Sequence, residues 1–390
     1  MTLNVFRICG MMCIILWLSP QVQAQRRTIP EVFNFVESKI ILAATTSDGR
    51  KLSLVLDTGS NRSVLLSKPA LDIRNGDKPA TSTQLTLSTL LANGISFDKI
   101  TFLVEDLPAL LQWNRNHPKQ PVDGLLGADA FQQKIIGLDF IGMSISAWQT
   151  DKLSSNEIQK YIFGNKPELA HWTNRIPLHF DAASGRFSLL AKLNSKSESF
   201  LLDTGFAATL VNAKVGKLLD SLVDPVQVTV RELDALVLST LTYIRSLGLG
   251  NLAISYPTIL ISPKTTENVL GVASFVDRKC IFDFKNRQLY LSAQPTENER
   301  NQAILPSIGF FAFNRDNKYY ALIQKHSSAD KAGVETNDEI LDVSMEDTAT
   351  NNVKTAVFTL MKHGAQSKII IRVRVGFPDA RPPDNTFSKQ

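Results

Sequence analysis

Along residues 30–293 short apolar runs alternate with turn residues. This rhythm predicts β-strands joined by tight connections. Residues 40–44 predict a strand that turns at Asp48-Gly49, and residues 52–56 a returning strand that runs into Asp57-Thr58-Gly59. Residues 63–66 predict the strand beyond that triplet. The set recurs: residues 187–193, a turn at Asn194-Ser195, residues 199–202 running into Asp203-Thr204-Gly205, then residues 209–211. Two stretches break the rhythm. Residues 151–172, with Ser154-Ser155-Asn156-Glu157, read as a polar connector, and residues 293–301, around Pro295, as an exposed linker. Beyond the linker, residues 319–323 predict a strand and residues 327–334 a short helix stopped at Gly333. Residues 337–343 predict a strand, residues 350–362 a helix ended by Gly364, and residues 368–375 a last strand.

The repeat extends past the triplets. Asp123-Gly124-Leu125-Leu126-Gly127 in the first copy matches Asn268-Val269-Leu270-Gly271 in the second, and Gly137-Leu138-Asp139-Phe140 matches Ile281-Phe282-Asp283-Phe284. Asp57 precedes Gly127 by 70 residues and Asp203 precedes Gly271 by 68. The later phenylalanines follow at 83 and 81. Three landmarks at matched offsets imply duplication of a mostly β lobe of roughly 120 residues.

At 390 residues the chain exceeds one hydrophobic core, and about 150 residues per domain predicts two or three. With 44% hydrophobic and 20% charged residues the composition is that of a globular protein. The net charge of +5 is scattered, with no run of basic residues longer than two, so no nucleic-acid partner is expected. The first 24 residues stand apart. Arg7 is followed by an apolar stretch at 8–18 and by Val22-Gln23-Ala24, the pattern of a signal peptide cut after Ala24. The stretch is shorter than the ~20 residues that span a bilayer, so no stable membrane span is expected after cleavage. The expected location is exported, periplasmic or secreted. Cys9 and Cys13 would leave with that segment, and Cys280 in an apolar run reads as a buried small hydrophobe. Nothing has metal-ligand spacing and no Gly-x-Ser-x-Gly elbow occurs, so no metal, cofactor or serine nucleophile is expected.

Each triplet places one carboxylate in a turn wedged between apolar strands, where an unpaired charge would be costly. Brought together, Asp57 and Asp203 would share a proton, because like charges about 3 Å apart cannot both ionise. Such a pair titrates as a unit. One member can draw a proton from water while the other polarises a carbonyl. Gly59 and Gly205 allow close backbone approach, and Thr58 and Thr204 can hydrogen-bond between the lobes.

These residues resemble the aspartic peptidases, and the chain is most similar to bacterial retropepsin-like peptidases in single-chain, two-lobed form, over about residues 30–293. The resemblance implies two β-barrel lobes flanking a cleft, Asp57 and Asp203 as catalytic residues, and Thr58, Gly59, Ser60, Thr204 and Gly205 as loop support. It implies that Leu126, Gly127, Leu270 and Gly271 pack beneath the loops. A hairpin flap would close over a polypeptide substrate. Residues 84–104, around Asn93-Gly94, and residues 226–246, with Tyr243, are both candidates. Ser60 fits the hydroxyl residue usual after the triplet and able to bond a carboxylate; Phe206 departs from it, which puts catalytic vigour in doubt. Residues 304–376 resemble PDZ domains of exported bacterial proteases, an α+β fold. Gly309-Phe310-Phe311 stands at the family's carboxylate-binding loop for a peptide C-terminus. Asn337 and Met345-Glu346-Asp347 depart from that pattern.

The expected organisation is a signal peptide (1–24), a first lobe (25–150), a connector (151–172), a second lobe (173–293), a linker (294–303), the PDZ-like domain (304–376) and a polar tail (377–390). The expected activity is that of a monomeric aspartic endopeptidase. The alternative is a weak or inactive peptide-binding or scaffold protein that keeps the lobes.

Overall fold

The computed structural model describes residues 30–36, 39–73, 83–140, 142–164, 174–193, 196–220, 226–232, 235–255, 257–276, 278–292, 310–315, 318–323, 328–335, 337–347, 353–362 and 365–374. The expected signal peptide, the linker at 294–303, Gly309 and the tail lie outside them. The fold is mostly β. The first repeat contributes β1 (Glu31–Val32), β2 (Asn34–Val36), β3 (Lys39–Thr46), β4 (Lys51–Leu56), β5 (Val64–Leu65), β6 (Gln84–Ala92), β7 (Ile95–Val104), β8 (Gly124–Leu126), β9 (Ile135–Asp139) and β10 (Ser144–Trp148). The second contributes β11 (Asn174–Pro177), β12 (His179–Asp181), β13 (Arg186–Leu193), β14 (Lys196–Asp203), β15 (Thr209–Asn212), β16 (Val226–Glu232) and β17 (Ala235–Tyr243). It continues with β18 (Ser246–Leu249), β19 (Leu252–Ser255), β20 (Thr258–Ser262), β21 (Asn268–Gly271), β22 (Lys279–Asp283) and β23 (Gln288–Leu291).

Duplication is visible in the pairing. The first repeat runs β3-β4-β8-β5-β7-β6, with β4 parallel to β8, β5 antiparallel to β8 and β5 parallel to β7. The second runs β13-β14-β21-β15-β20-β17 with the same senses at every step. In both, the strand entering the triplet lies parallel to the strand entering the later glycine. The hairpin β18–β19 pairs with β13 as the tip of β6–β7 pairs with β3, with Ala191 opposite Leu249 and Ala44 opposite Ala92.

The repeats join through a six-stranded antiparallel sheet, β1-β10-β9-β22-β23-β11, with three strands from each. Its central pair sets Ile136 opposite Phe282. One continuous apolar core runs from Leu54 and Phe102 through Ile136, Cys280 and Phe282 to Leu202 and Phe275. Phe284, the second Asp-Phe landmark, packs on Phe131 of one repeat and Phe187 of the other at centroid distances of 6.0 and 4.8 Å. The two halves are therefore welded by burial, not only by the connector.

Two elements differ from expectation. Residues 151–172 hold a helix, Ser155–Phe163, where a connector was expected. Ser154 accepts from the Glu157 N–H while Glu157 accepts from the Ser154 N–H, a capping box whose S-x-x-E signature stands in the sequence. Ile158, Tyr161 and Ile162 bury one face against Ile135 and Ile281. The second correction concerns residues 350–362. A strand, Val353–Lys362, occupies the place of the expected helix. Val353, Val357, Phe358 and the threonines favour extended backbone, and pairing on both sides outweighs the helical reading of a lone segment.

That strand is β27 in an antiparallel meander of β24 (Phe310–Arg315), β25 (Lys318–Ile323), β26 (Glu339–Asp347), β27 (Val353–Lys362) and β28 (Ala365–Arg374). The short helix Ser328–Lys331 before Gly333, at φ +84°, matches expectation. It is the one helix of this domain among the described residues. Phe310 and Phe311 open the edge strand β24, paired with Ile323 and Leu322, so they stand in a sheet and not in a loop. Among the described residues, no helix is long and apolar enough to cross a membrane, and Cys280 is a buried free thiol.

Candidate active site

β4 and β14 each end at a triplet, and the triplets meet face to face. Thr58 Oγ1 donates to Leu202 O at 2.8 Å and accepts from the Thr204 N–H at 3.1 Å. Thr204 Oγ1 donates to Leu56 O at 2.9 Å and accepts from the Thr58 N–H at 3.1 Å. Both threonines are fully buried. Each hydroxyl is thus saturated by the opposite repeat, and the exchange fixes the distance between the loops.

The glycines settle how close the carboxylates come. A side-chain carbon on Gly59 would collide with the carboxyl carbon of Asp203, and one on Gly205 with that of Asp57. No residue with a Cβ fits either place without displacing the acid opposite. Each carboxylate thus lies against the opposite loop, and the charge of Asp57 acts on Asp203.

The environments of the two acids differ. Asp57 Oδ1 accepts the N–H groups of Gly59 at 3.0 Å and Ser60 at 3.1 Å. Asp203 Oδ1 accepts the Gly205 N–H at 2.8 Å. Burial, then the charge of Asp57, push Asp203 up from 3.8 to about 8. Asp203 is half-buried. Lys39, first residue of β3, donates from Nζ to Gly205 O at 2.9 Å, and its charge opposes that rise.

Ser60 does not act as expected. Its hydroxyl donates to Arg62 O at 2.8 Å, and only its backbone N–H reaches Asp57. Phe206 is half-buried against Leu210, Leu241, Leu260 and Val269. Tyr320 of the third domain packs on the same cluster, and β24 lies against β16. The third domain therefore rests on the second repeat beside its Asp-Thr-Gly loop.

The Leu-Gly elements lie directly under the loops. Leu126 O accepts the Asp57 N–H at 2.9 Å, and a Cβ on Gly127 would meet Arg62 C and O at 2.5 Å. Leu270 is fully buried and Gly271 pairs with Asp203; a Cβ there would meet Phe206 O at 2.7 Å and strike Ala208 O. Asp129, which sequence reading assigned no role, accepts from Ser63 N–H at 3.1 Å and Ser63 Oγ at 2.8 Å and so holds the strand after the first loop. Lys39 was missed as well. Its signal was its place 18 residues before Asp57, which the antiparallel turn brings back beside the triplet.

The two flap candidates fare differently. The tip of β6–β7 is clamped to the sheet: Asn93 is buried, accepts from the Ala43 N–H at 2.7 Å and donates to Val32 O at 2.7 Å. The β16–β17 hairpin pairs with β20 at Thr240–Tyr243; in the stretch before that pairing Leu238 is exposed while Val237 and Ser239 are buried. Tyr243 sits at the far end, opposite Thr258. No group of three or more His, Cys, Asp or Glu placed to hold a metal occurs among the described residues.

Neither a family model nor a curated protein matches this chain.

Proposed function

We propose that the chain is an aspartic-type endopeptidase of two-lobed, retropepsin-like form that hydrolyses peptide bonds with a water held between Asp57 and Asp203. The observation that carries the reading is the reciprocal seating of the acids: each lies against the glycine of the opposite loop, locked by the Thr58–Thr204 exchange. A binding surface has no use for two carboxylates held this close at the expense of a strongly raised proton affinity. Two N–H groups reach Asp57, while burial and the neighbouring charge raise the proton affinity of Asp203.

The ionised carboxylate takes a proton from water as its oxygen attacks the scissile carbonyl carbon. The protonated carboxyl donates to the carbonyl oxygen as negative charge develops there. When the C–N bond breaks, a proton passes from the pair to the leaving nitrogen, and the dyad returns to one proton. Phe206 supplies an apolar surface beside the loop, suited to an apolar substrate side chain. The third domain acts as a cap on the second lobe, a role supported by the seating of Tyr320. The signal-like residues 1–24 support action outside the cytoplasm.

The test is cleavage of denatured casein between pH 3 and 8 by wild type, Asp57→Asn and Asp203→Asn. Cleavage by wild type alone is expected. Equal peptide capture by all three, with no cleavage at any pH, would establish the peptide-binding alternative instead.

A further inference from the structure

The antiparallel register of β3 and β4 sets Ile41 opposite Val55, so Lys39 stands two residues further on, level with Asp57. In the second repeat, Ser188 lies opposite Leu201, which sets Arg186 level with Asp203. The duplication therefore places one basic residue beside each acid. The two cations are used differently. Arg186 turns away into a two-pronged ion pair with Glu267, at 2.8 and 3.1 Å. Lys39 instead crosses to the opposite repeat and donates to the carbonyl of Gly205.

We propose that Lys39 is a positioning residue of the paired acids, tying the second Asp-Thr-Gly loop to the first repeat and holding one positive charge beside the shared proton. This rests on the reading of Asp57 and Asp203 as a dyad. A peptide carbonyl whose oxygen is held by an ammonium is fixed in direction, which anchors the Gly205–Phe206 peptide immediately after the Gly205 N–H that serves Asp203. The charge also favours the singly ionised pair over the fully protonated one, which keeps the dyad usable as the medium becomes more acid. Among the described residues the charged groups acting on Asp203 are Asp57 and Lys39. Glu37, two residues from Lys39, lies outside the described residues. Arg186 is already matched by Glu267.

The experiment is a carboxyl-carbon NMR titration of the full chain labelled at aspartate, with the Asp203 signal assigned by its loss in Asp203→Asn. Wild type, Lys39→Gln, Lys39→Met and Lys39→Arg are compared. Removing the charge is expected to move the Asp203 midpoint upward by about one pH unit, the lower end of what a nearby opposite charge exerts. Lys39→Arg should return it toward wild type. Lys39→Gln keeps a donor for Gly205 O, so it retains the tether while losing the charge, and it serves if Lys39→Met does not fold. An unchanged midpoint in Lys39→Gln overturns the proposal. A uniform loss of signal dispersion without a midpoint change, which a merely structural lysine would give, overturns it as well. The readout does not need cleavage. A shifted midpoint in a chain that never cuts casein would refute the peptidase reading and leave Lys39 in place.

Discussion

Replacing Asp203 by Asn tests the dyad through stability, independently of any substrate. The amide keeps the shape of the side chain and an oxygen for the Gly205 N–H, but it cannot ionise. In the folded chain Asp203 holds its proton up to about pH 8, whereas the ordinary value is 3.8. Between those limits the folded state binds a proton that the unfolded state releases, so stability is fully present below about pH 4 and is lost as pH rises toward 8. At about 1.4 kcal/mol per pH unit the gap sets a ceiling of about 6 kcal/mol. Solvent screening of a half-buried carboxylate lowers that ceiling, to about 2–3 kcal/mol. Urea unfolding of wild type and Asp203→Asn at intervals from pH 4.5 to 9 reads this directly. The two curves should nearly coincide at the acid end, and the variant should be the more stable by about 2–3 kcal/mol at pH 8–9. Carboxylates away from the pair titrate alike in both proteins and cancel. Parallel curves across the whole range would refute the close pairing of the two acids.

The inter-lobe exchange predicts that Thr58→Val, which keeps the shape and removes the hydroxyl, leaves the Leu202 carbonyl and the Thr204 N–H unpartnered and costs about 2–4 kcal/mol. The double variant with Thr204→Val should cost less than the sum of the two, since both hydroxyls brace one junction that the first loss already loosens, and a urea midpoint series measures it. For the third domain, Tyr320→Ser should weaken its seating on Leu210, Leu241, Leu260 and Val269. Faster limited proteolysis between residues 293 and 309 than in wild type is the expected result, and an unchanged rate would show that Tyr320 contributes nothing to docking.

Strand positions in both lobes, the duplication and both acid triplets could be read from sequence because they rest on local chemistry. Period-two burial needs only the next residue, and Asp-Thr-Gly turns need only small and polar residues at fixed places. The helix Ser155–Phe163 was legible through Ser154 and Glu157 and was passed over because its surroundings are polar. Residues 353–362 were different, since their apolar spacing suits either period and only pairing with β26 and β28 decides for the strand.

Sequence by itself determined that one carboxylate ends a buried strand in each half and that a glycine follows two residues later. It did not determine what those groups touch. The union of the acids, the saturation of Thr58 by the opposite lobe and the crossing of Lys39 to Gly205 join residues more than 140 apart. Such contacts arise from how two sheets are brought together, and no local pattern encodes them. The same holds for the diverted hydroxyl of Ser60 and the raised proton affinity of Asp203. Burial and neighbouring charge set that affinity, and both are properties of the assembled fold.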